Sequence, residues 1–350
     1  MTINHITERK REHLAIAGKA DVQMTVTNGL ADLRFEPCSL PEIDLEQVNT
    51  SVRFLGKSLS QPLMIASMSG GTKESQRLNE CLAVAAEASN IALGLGSMRI
   101  ALENPRQRAA FMLRALAPTI PILANIGAAQ LREAGGVINA LTCVDIAEAD
   151  ALVVHLNPLQ EALQLHGDTR WTGIKSAIAT LIDECPVPVI VKEVGHGIGP
   201  TTAKALIEIG VRYIDVAGAG GTSWAAIETR RATSETARNL GIPFHNFGIT
   251  LREALTLLST DPAINRSLFI IASGGIRSGL DVAKALRLGG SLASAAVPFL
   301  TASRLGERAL VELIAQWHQQ LKICCFITGS LDIKALKSAP LMNDYHQETL

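Results

Sequence analysis

The sequence predicts an α/β chain folded as a TIM (β/α)8 barrel over residues 61–350, with an N-terminal extension over residues 1–60 and an inserted loop after the sixth strand. Three observations predict it. About eight short apolar runs recur from Pro62 onward, each ending in small or polar residues and most followed by an amphipathic segment. The runs are continuously hydrophobic, as strands are when helices cover both faces of a parallel sheet. No G-x-G-x-x-G follows the first run, which counts against an open doubly wound sheet, the alternative for such a chain.

In residues 1–60 the pattern is mixed. Arg9-Lys10-Arg11-Glu12-His13 opens a short helix, Asn28 to Asp32 reads as a turn, and Pro37 to Asp44 reads as irregular. The expected barrel strands are Leu63–Ser67, Ile91–Leu95, Ile120–Asn125, Ala151–His155, Val187–Lys192, Tyr213–Ala217, Leu268–Ser273 and Leu292–Val297. Helical patterns lie between them at Lys73–Ser89, Pro105–Ala115, Gly173–Cys185, Thr201–Ile209, Leu251–Leu258 and Leu280–Leu288. The stretch from Gly220 to Phe247 is the inserted loop, a usual place for a lid or substrate loop. Ser303–Gln320 closes the chain as an amphipathic helix.

Composition narrows the function. Of 350 residues, 47% are apolar, enough for a large core. The 32 basic and 33 acidic residues nearly cancel, which argues against a nucleic-acid or membrane-surface partner while leaving room for a local anion pocket. Aromatics, at 4%, are too few for a base-stacking platform. The six cysteines show no C-x-x-C and no regular spacing, so free thiols in a reducing cytoplasm are expected. Neither a signal peptide nor a membrane-spanning run is expected from the apolar pattern.

In such barrels the active site is built at the C-terminal ends of the strands. The most polar of these ends is His155-Leu156-Asn157-Pro158-Leu159-Gln160-Glu161. Strand alternation points His155 and Asn157 the same way, Pro158 ends the ladder, and Gln160 and Glu161 project from the turn beyond. Ser273-Gly274-Gly275 frees backbone amides after the seventh strand, and Ser278-x-x-Asp281 is a capping-box-like helix start. With Gly218–Gly221 and Arg277 nearby and small Ala295 and Ala296 after the eighth strand, this end suits a phosphate-bearing cofactor. Lys192 ends a strand of valines and an isoleucine. It is either a snorkelling or ion-paired lysine, with Glu193 as its partner, or a cation facing the N1–C2 edge of a flavin. Asn125 is placed to bond the same ring. No histidine pair has metal-ligand spacing, so no zinc site is expected.

Taken together, these stretches resemble the type 2 isopentenyl-diphosphate isomerases, FMN-dependent barrels. The likeness runs from Arg9-Lys10-x-x-His13 through Met68-Ser69-Gly70-Gly71, Gly96-Ser97-Met98-Arg99, the His155–Glu161 stretch, Lys192-Glu193-Val194-Gly195, Gly220 to Trp224 and Ser273 to Arg277, to Thr328-Gly329-Ser330. It implies interconversion of isopentenyl and dimethylallyl diphosphate by a 1,3-proton shift, with reduced FMN as acid and base, Mg2+, and NADPH or NADH as reductant. By position it implies that Arg9, Lys10, Ser97, Arg99, His155 and Asn157 hold the diphosphate, with His13 and Met98 also binding substrate. Gln160 is implied to touch the substrate, and Glu161 to bind Mg2+. Glu228 and Lys192 join Gln160 and Glu161 as catalytic candidates. Ser67, Met68, Ser69, Ser97, Asn125, Lys192, Thr222, Gly274, Gly275, Arg277, Ala295 and Ala296 are implied to surround FMN. The resemblance further implies a cytoplasmic homo-oligomer, a tetramer or octamer. Two stretches depart from the family pattern: Ser69 stands where a threonine is usual, and Phe244 to Thr250 replaces a usual Asp-Trp-Gly-Ile-Pro. The competing expectation is an FMN barrel oxidoreductase of the 2-hydroxy-acid oxidase or dihydroorotate dehydrogenase kind. It would keep Lys192 and the glycine loops but require a base over the flavin, and no Arg-His pair follows the seventh strand. A non-catalytic phosphate-binding barrel is the third.

Overall fold

The computed structural model describes residues 3–68 and 73–342. A hairpin of β1 (Val52–Phe54) and β2 (Lys57–Leu59) precedes eight further strands. These are β3 (Leu63–Ile65), β4 (Ala92–Gly94), β5 (Ile122–Gly127), β6 (Ala151–Leu156), β7 (Val189–Glu193), β8 (Tyr213–Asp215), β9 (Phe269–Ser273) and β10 (Leu292–Ala295). They pair in parallel and in sequence order, and β10 returns to β3 to close the barrel. All eight expected apolar runs lie on these strands. Several end earlier than the runs do, because residues such as Ser67 and Ala217 leave the ladder to line the cavity above.

The hairpin is absent from the sequence expectation. Its strands are only three residues long, too short for periodicity to register. Leu55 and Gly56 both have positive φ (50° and 79°), the two-residue turn whose twist matches that of the flanking strands. The hairpin corks the N-terminal end of the barrel. Phe54 and Leu59 pack with Met64, Leu123, Val153, Ile190, Ile271 and Leu292, and Phe54 stacks on Phe269 at 5.2 Å between ring centroids. A second, larger apolar layer joins the outer faces of the strands to the surrounding helices.

The segment after β8 is helical rather than a loop. Helices Trp224–Arg231 and Glu235–Gly241 are capped by Ser223 and Ser234, whose hydroxyls accept from Ala226 N (3.1 Å) and Ala237 N (3.2 Å). The charges between Glu228 and Arg238 interrupt any apolar stripe, which is why the pattern alone reads as a loop. The N-terminal helix, Ile3–Ala17, extends well beyond the Arg9–His13 stretch and packs over the C-terminal face, against the helices Arg99–Glu103 and Trp224–Arg231. Among the described residues no helix is long and apolar enough to cross a membrane.

Candidate active site

The C-terminal strand ends and the N-terminal helix enclose a cavity of about 820 Å³. Every barrel strand contributes to it, through Ser67, Ser97, Asn125, His155, Lys192, Ala217, Ser273 and Ser294 or their neighbours, and the helix adds Arg9, Lys10 and His13. Met68, Arg99, Asn157, Gln160, Glu161, Thr222, Gly274, Gly275, Arg277, Ala295 and Ala296 line it as well. Two of the described expected site residues do not. Met98 is packed in the layer between barrel and helices, so only its backbone serves the site, its amide donating to Asn125 O at 2.8 Å. Glu228 stands behind the wall and reaches the cavity through other side chains. Ser69, with Gly70 and Gly71, lies outside the described residues.

One half of the cavity is cationic. Lys10 Nζ donates to Ser97 O at 2.7 Å. Burial and the neighbouring charge of Arg9 bring its amine down to about 7, against the opposing pull of Glu103. Arg99 is aimed by Glu103, whose carboxylate accepts from its Nε at 2.9 Å. His155 Nδ1 lies 2.8 Å from Asn125 Oδ1, an arrangement that puts the ring proton on Nδ1 and leaves Nε2 as an acceptor. Burial, then the charges of Lys192, Lys10 and Arg9, push the His155 imidazole down to about 4, so it is neutral at pH 7.

Beside this wall the residues after β6 form a short helix, Pro158–Leu163, instead of the expected turn. Pro158 occupies its first position, where a missing N–H costs nothing, and Asn157 is the N-cap. Helical spacing then brings the side chains three and four residues on back over Asn157. Its Nδ2 donates to Gln160 Oε1 (3.1 Å) and Glu161 Oε1 (3.0 Å), while its buried Oδ1 has no partner. Glu161 Oε2 also accepts from Gln164 Nε2 (3.0 Å) and Asp168 N (2.8 Å). Gln160 Nε2 donates to Glu228 Oε1 at 3.1 Å. Glu228 further accepts from His13 Nε2 (2.9 Å) and Arg231 (2.5 Å). Burial raises the Glu228 carboxyl, but the His13 bond, with Arg231 and Gln160, outweighs it and holds the group below the usual range. Burial lowers His13 in spite of its carboxylate partner, so His13 donates as a neutral ring. Among the described residues no three His, Cys, Asp or Glu side chains cluster as a metal site.

The opposite half is built of glycine and small residues. Gly274 (φ 122°) and Gly275 (φ 66°) take backbone conformations that L residues rarely adopt, and a Cβ on either would collide with the carbonyl of Gly218 or Gly220. Ser278 caps the next helix, accepting from Asp281 N at 3.1 Å, and Asp281 accepts in return from Arg277 N at 2.9 Å. Lys192 Nζ donates to Glu193 O at 2.6 Å and lies 3.7 Å from Asp215 Oδ2. The ion pair with the Glu193 carboxylate, one of the two alternatives for this lysine, is not formed. That carboxylate turns instead into its own loop and accepts from the amides of Val194, Gly195 and His196 (2.6, 2.6 and 2.5 Å). Ser294 Oγ, fully buried on the cavity wall, has no partner. A cradle that admits no Cβ, a lysine on the same cavity and an unpaired buried hydroxyl fit a flavin mononucleotide.

Several residues escape a reading by motif. Gln164 supports Glu161 and is signalled only by its position three residues further on. Asp215 is a carboxylate inside an apolar run, a visible anomaly whose partner the sequence does not reveal. Gln23 lies in a stretch with no pattern, and Asn28 is signalled only as the start of a turn.

Comparison with known proteins identifies the family. Residues 155–343 match the model of the FMN-dependent dehydrogenase family. The chain is 42% identical over 343 residues to an isopentenyl-diphosphate delta-isomerase of Cronobacter sakazakii, covering 97% of this chain and 98% of the relative. It is 44% identical to the protein of that name from a Nostoc species, covering 94% and 93%, and 42% identical to that of Rickettsia prowazekii, covering 96% and 97%. Among solved structures, a flavocytochrome b2 variant superposes with a TM-score of 0.68 at 16% identity, over 99% of this chain and 87% of that one. A mandelate oxidase variant with an FMN adduct gives 0.62 at 16% identity, over 94% and 91%. These structures share the fold, whereas the close relatives define the family. The chain belongs to the FMN-dependent isopentenyl-diphosphate delta-isomerases, barrel enzymes of the flavin-dependent dehydrogenase family.

Proposed function

We propose that this enzyme interconverts isopentenyl and dimethylallyl diphosphate with FMN reduced by NADPH or NADH, and with Mg2+ on the diphosphate. The observation that carries this is the division of one cavity. A wall of Arg9, Lys10, Arg99 and His155 with the carboxylate of Glu161 lines the same cavity as a glycine cradle and Lys192. When bound and reduced, the flavin supplies the proton donor and acceptor for an allylic shift without net redox change.

The chain's own residues do the rest. Arg9, Arg99 and Lys10 bind the diphosphate, with an arginine fork suited to its oxygens. His155 takes a proton on Nε2 as the anion arrives, which turns an acceptor into a donor. Glu161 would hold Mg2+, which commonly takes one or two carboxylates and fills its shell with phosphate oxygens and water. Asn157 and Gln164 fix the direction of that carboxylate. The Glu228 network holds the Gln160 amide against the substrate's path, and Trp224, Leu14 and Met68 keep water from the alkene. Lys192 would offset the negative charge that a bound flavin gains on reduction. His13 and Ser97 complete the diphosphate side. Ser67, Asn125, Thr222, Arg277, Ala295 and Ala296 complete the flavin side. Residues 1–60 act as a substrate-binding extension of the barrel, and the enzyme works as a cytoplasmic homo-oligomer.

An FMN oxidoreductase reading would need a base at the flavin from the loop after β9, and Gly274 to Gly279 contains no histidine. The test is direct. Purified protein with FMN, Mg2+ and NADPH under anaerobic conditions should convert either C5 diphosphate into the other, and only with the flavin reduced. Bound flavin without any conversion would refute it.

A further inference from the structure

We infer that Asn28 is a positioning residue that joins the cofactor cradle to the substrate-binding helix, so that FMN and diphosphate strengthen each other's binding. The inference rests on the function proposed above.

The link is a short strap of chain. After the helix Ile3–Ala17, residues Val22 to Met24 lie antiparallel to the loop after β8. Met24 N donates to Gly221 O and Ser223 N to Val22 O, both at 2.8 Å. Gln23 Nε2 reaches Thr222 Oγ1 at 3.2 Å. Asn28 then wedges between the two glycine loops of the cradle. Its Nδ2 donates to Gly275 O at 2.8 Å, its Oδ1 accepts from Leu30 N at 3.0 Å, and its carbonyl accepts from Arg252 N at 3.0 Å. Gly220 has to be glycine for this contact, because a Cβ there would collide with the backbone of Asn28. Asn28 is itself buried, with Nδ2 reaching the cradle and Oδ1 fixing its own turn.

The loops that form the cofactor cradle are therefore also the surface on which the strap is laid. The strap leads directly to the helix carrying Arg9, Lys10 and His13. A phosphate that fixes Gly221 and Gly275 stiffens that surface and so places the helix, and a diphosphate that holds the helix stiffens the cradle. Thermodynamic linkage makes the two effects equal.

The test uses FMN-stripped full-length protein. FMN binding is followed by quenching of flavin fluorescence, with and without Mg2+ and inorganic pyrophosphate, and hydrogen exchange is measured over residues 3–17. In the wild type, pyrophosphate should tighten FMN by about tenfold, within the usual range of coupling between sites. FMN alone should slow exchange in the helix. Asn28→Ala should weaken FMN and bring the coupling factor close to one. Asn28→Asp, which keeps the shape and the Leu30 contact but presents no donor to Gly275 O, should do the same. A wild-type factor of one, a helix whose exchange ignores FMN, or variants that retain the coupling would each overturn the inference. The wild-type measurements decide it even if both variants fail to fold. Failure to bind FMN at all would instead sink the functional reading on which it rests.

Discussion

Lys10 should make diphosphate binding strongly dependent on pH, in a direction that the structure fixes. Its ammonium is buried beside Arg9 and Arg99, with Glu103 as the opposing charge, and is brought down to about 7. Cys143, also nearby, is pushed up to about 12 by burial and stays a neutral thiol. For stability, the unfolded chain then holds more protons than the folded one from about pH 7 up to the ordinary lysine value. The penalty for burying this cation is complete below about 7 and fades as pH rises. Ligand binding runs the other way. A diphosphate stabilises the protonated form, so affinity is greatest below about 7 and falls as pH rises above it. The fall approaches tenfold per pH unit, about 1.4 kcal/mol. Calorimetry of Mg-pyrophosphate binding in buffers with different ionisation heats reads the same effect as proton uptake, with about half a proton from Lys10 at pH 7. His155, held at about 4 in the free protein, adds to this uptake as it takes its proton on binding. Lys10→Met removes the lysine contribution while leaving the ligand's own titration in place, so the difference between the two proteins isolates it. If that difference is flat from about pH 6 to 9, the burial argument for Lys10 is wrong.

Other perturbations probe the remaining parts. Glu161→Gln should abolish the dependence of substrate affinity on Mg2+, measured by titrating the metal at fixed diphosphate. Gln164→Ala leaves the carboxylate in place but removes one of its supports, and should raise the Mg2+ requirement by about tenfold. Gly275→Ala forces a side chain into left-handed backbone against Gly220 O, at a cost of about 1–3 kcal/mol, and should weaken FMN at least in proportion as read by flavin fluorescence. Phe54→Ala empties the cork at the far end of the barrel. It should cost about 3–5 kcal/mol in guanidinium unfolding while leaving the spectrum of bound flavin unchanged.

Much of this protein can be read from residue order. Strands buried on both faces must be continuously apolar, so Ala151–Leu156 and Val189–Glu193 announce themselves, and parallel pairing follows from the helices between them. Because barrel strands deliver their C-terminal residues to one place, reading the ends of those runs brings His155, Asn157, Lys192 and the Gly274-Gly275 pair together before any coordinates. The N-terminal hairpin and the helices after β8 are less legible. Their stability comes from tertiary burial and caps, and their own periodicity is too short or too broken to show it.

What the sequence by itself determined was the fold class, the end of the barrel that carries the site and most of the side chains that line it. Those depend on local pattern and on a topology with few alternatives. The tertiary structure alone decided the partners. It turned Glu193 into its own loop and left Asp215 behind Lys192, set Glu228 behind Gln160 instead of on the wall, withdrew Met98 into the core, and wedged Asn28 between two glycine loops. Each of these is a contact between residues far apart in the chain or a choice between two directions for one side chain. Such choices are settled by burial and by which donor lies within about 3 Å, quantities that residue order does not contain.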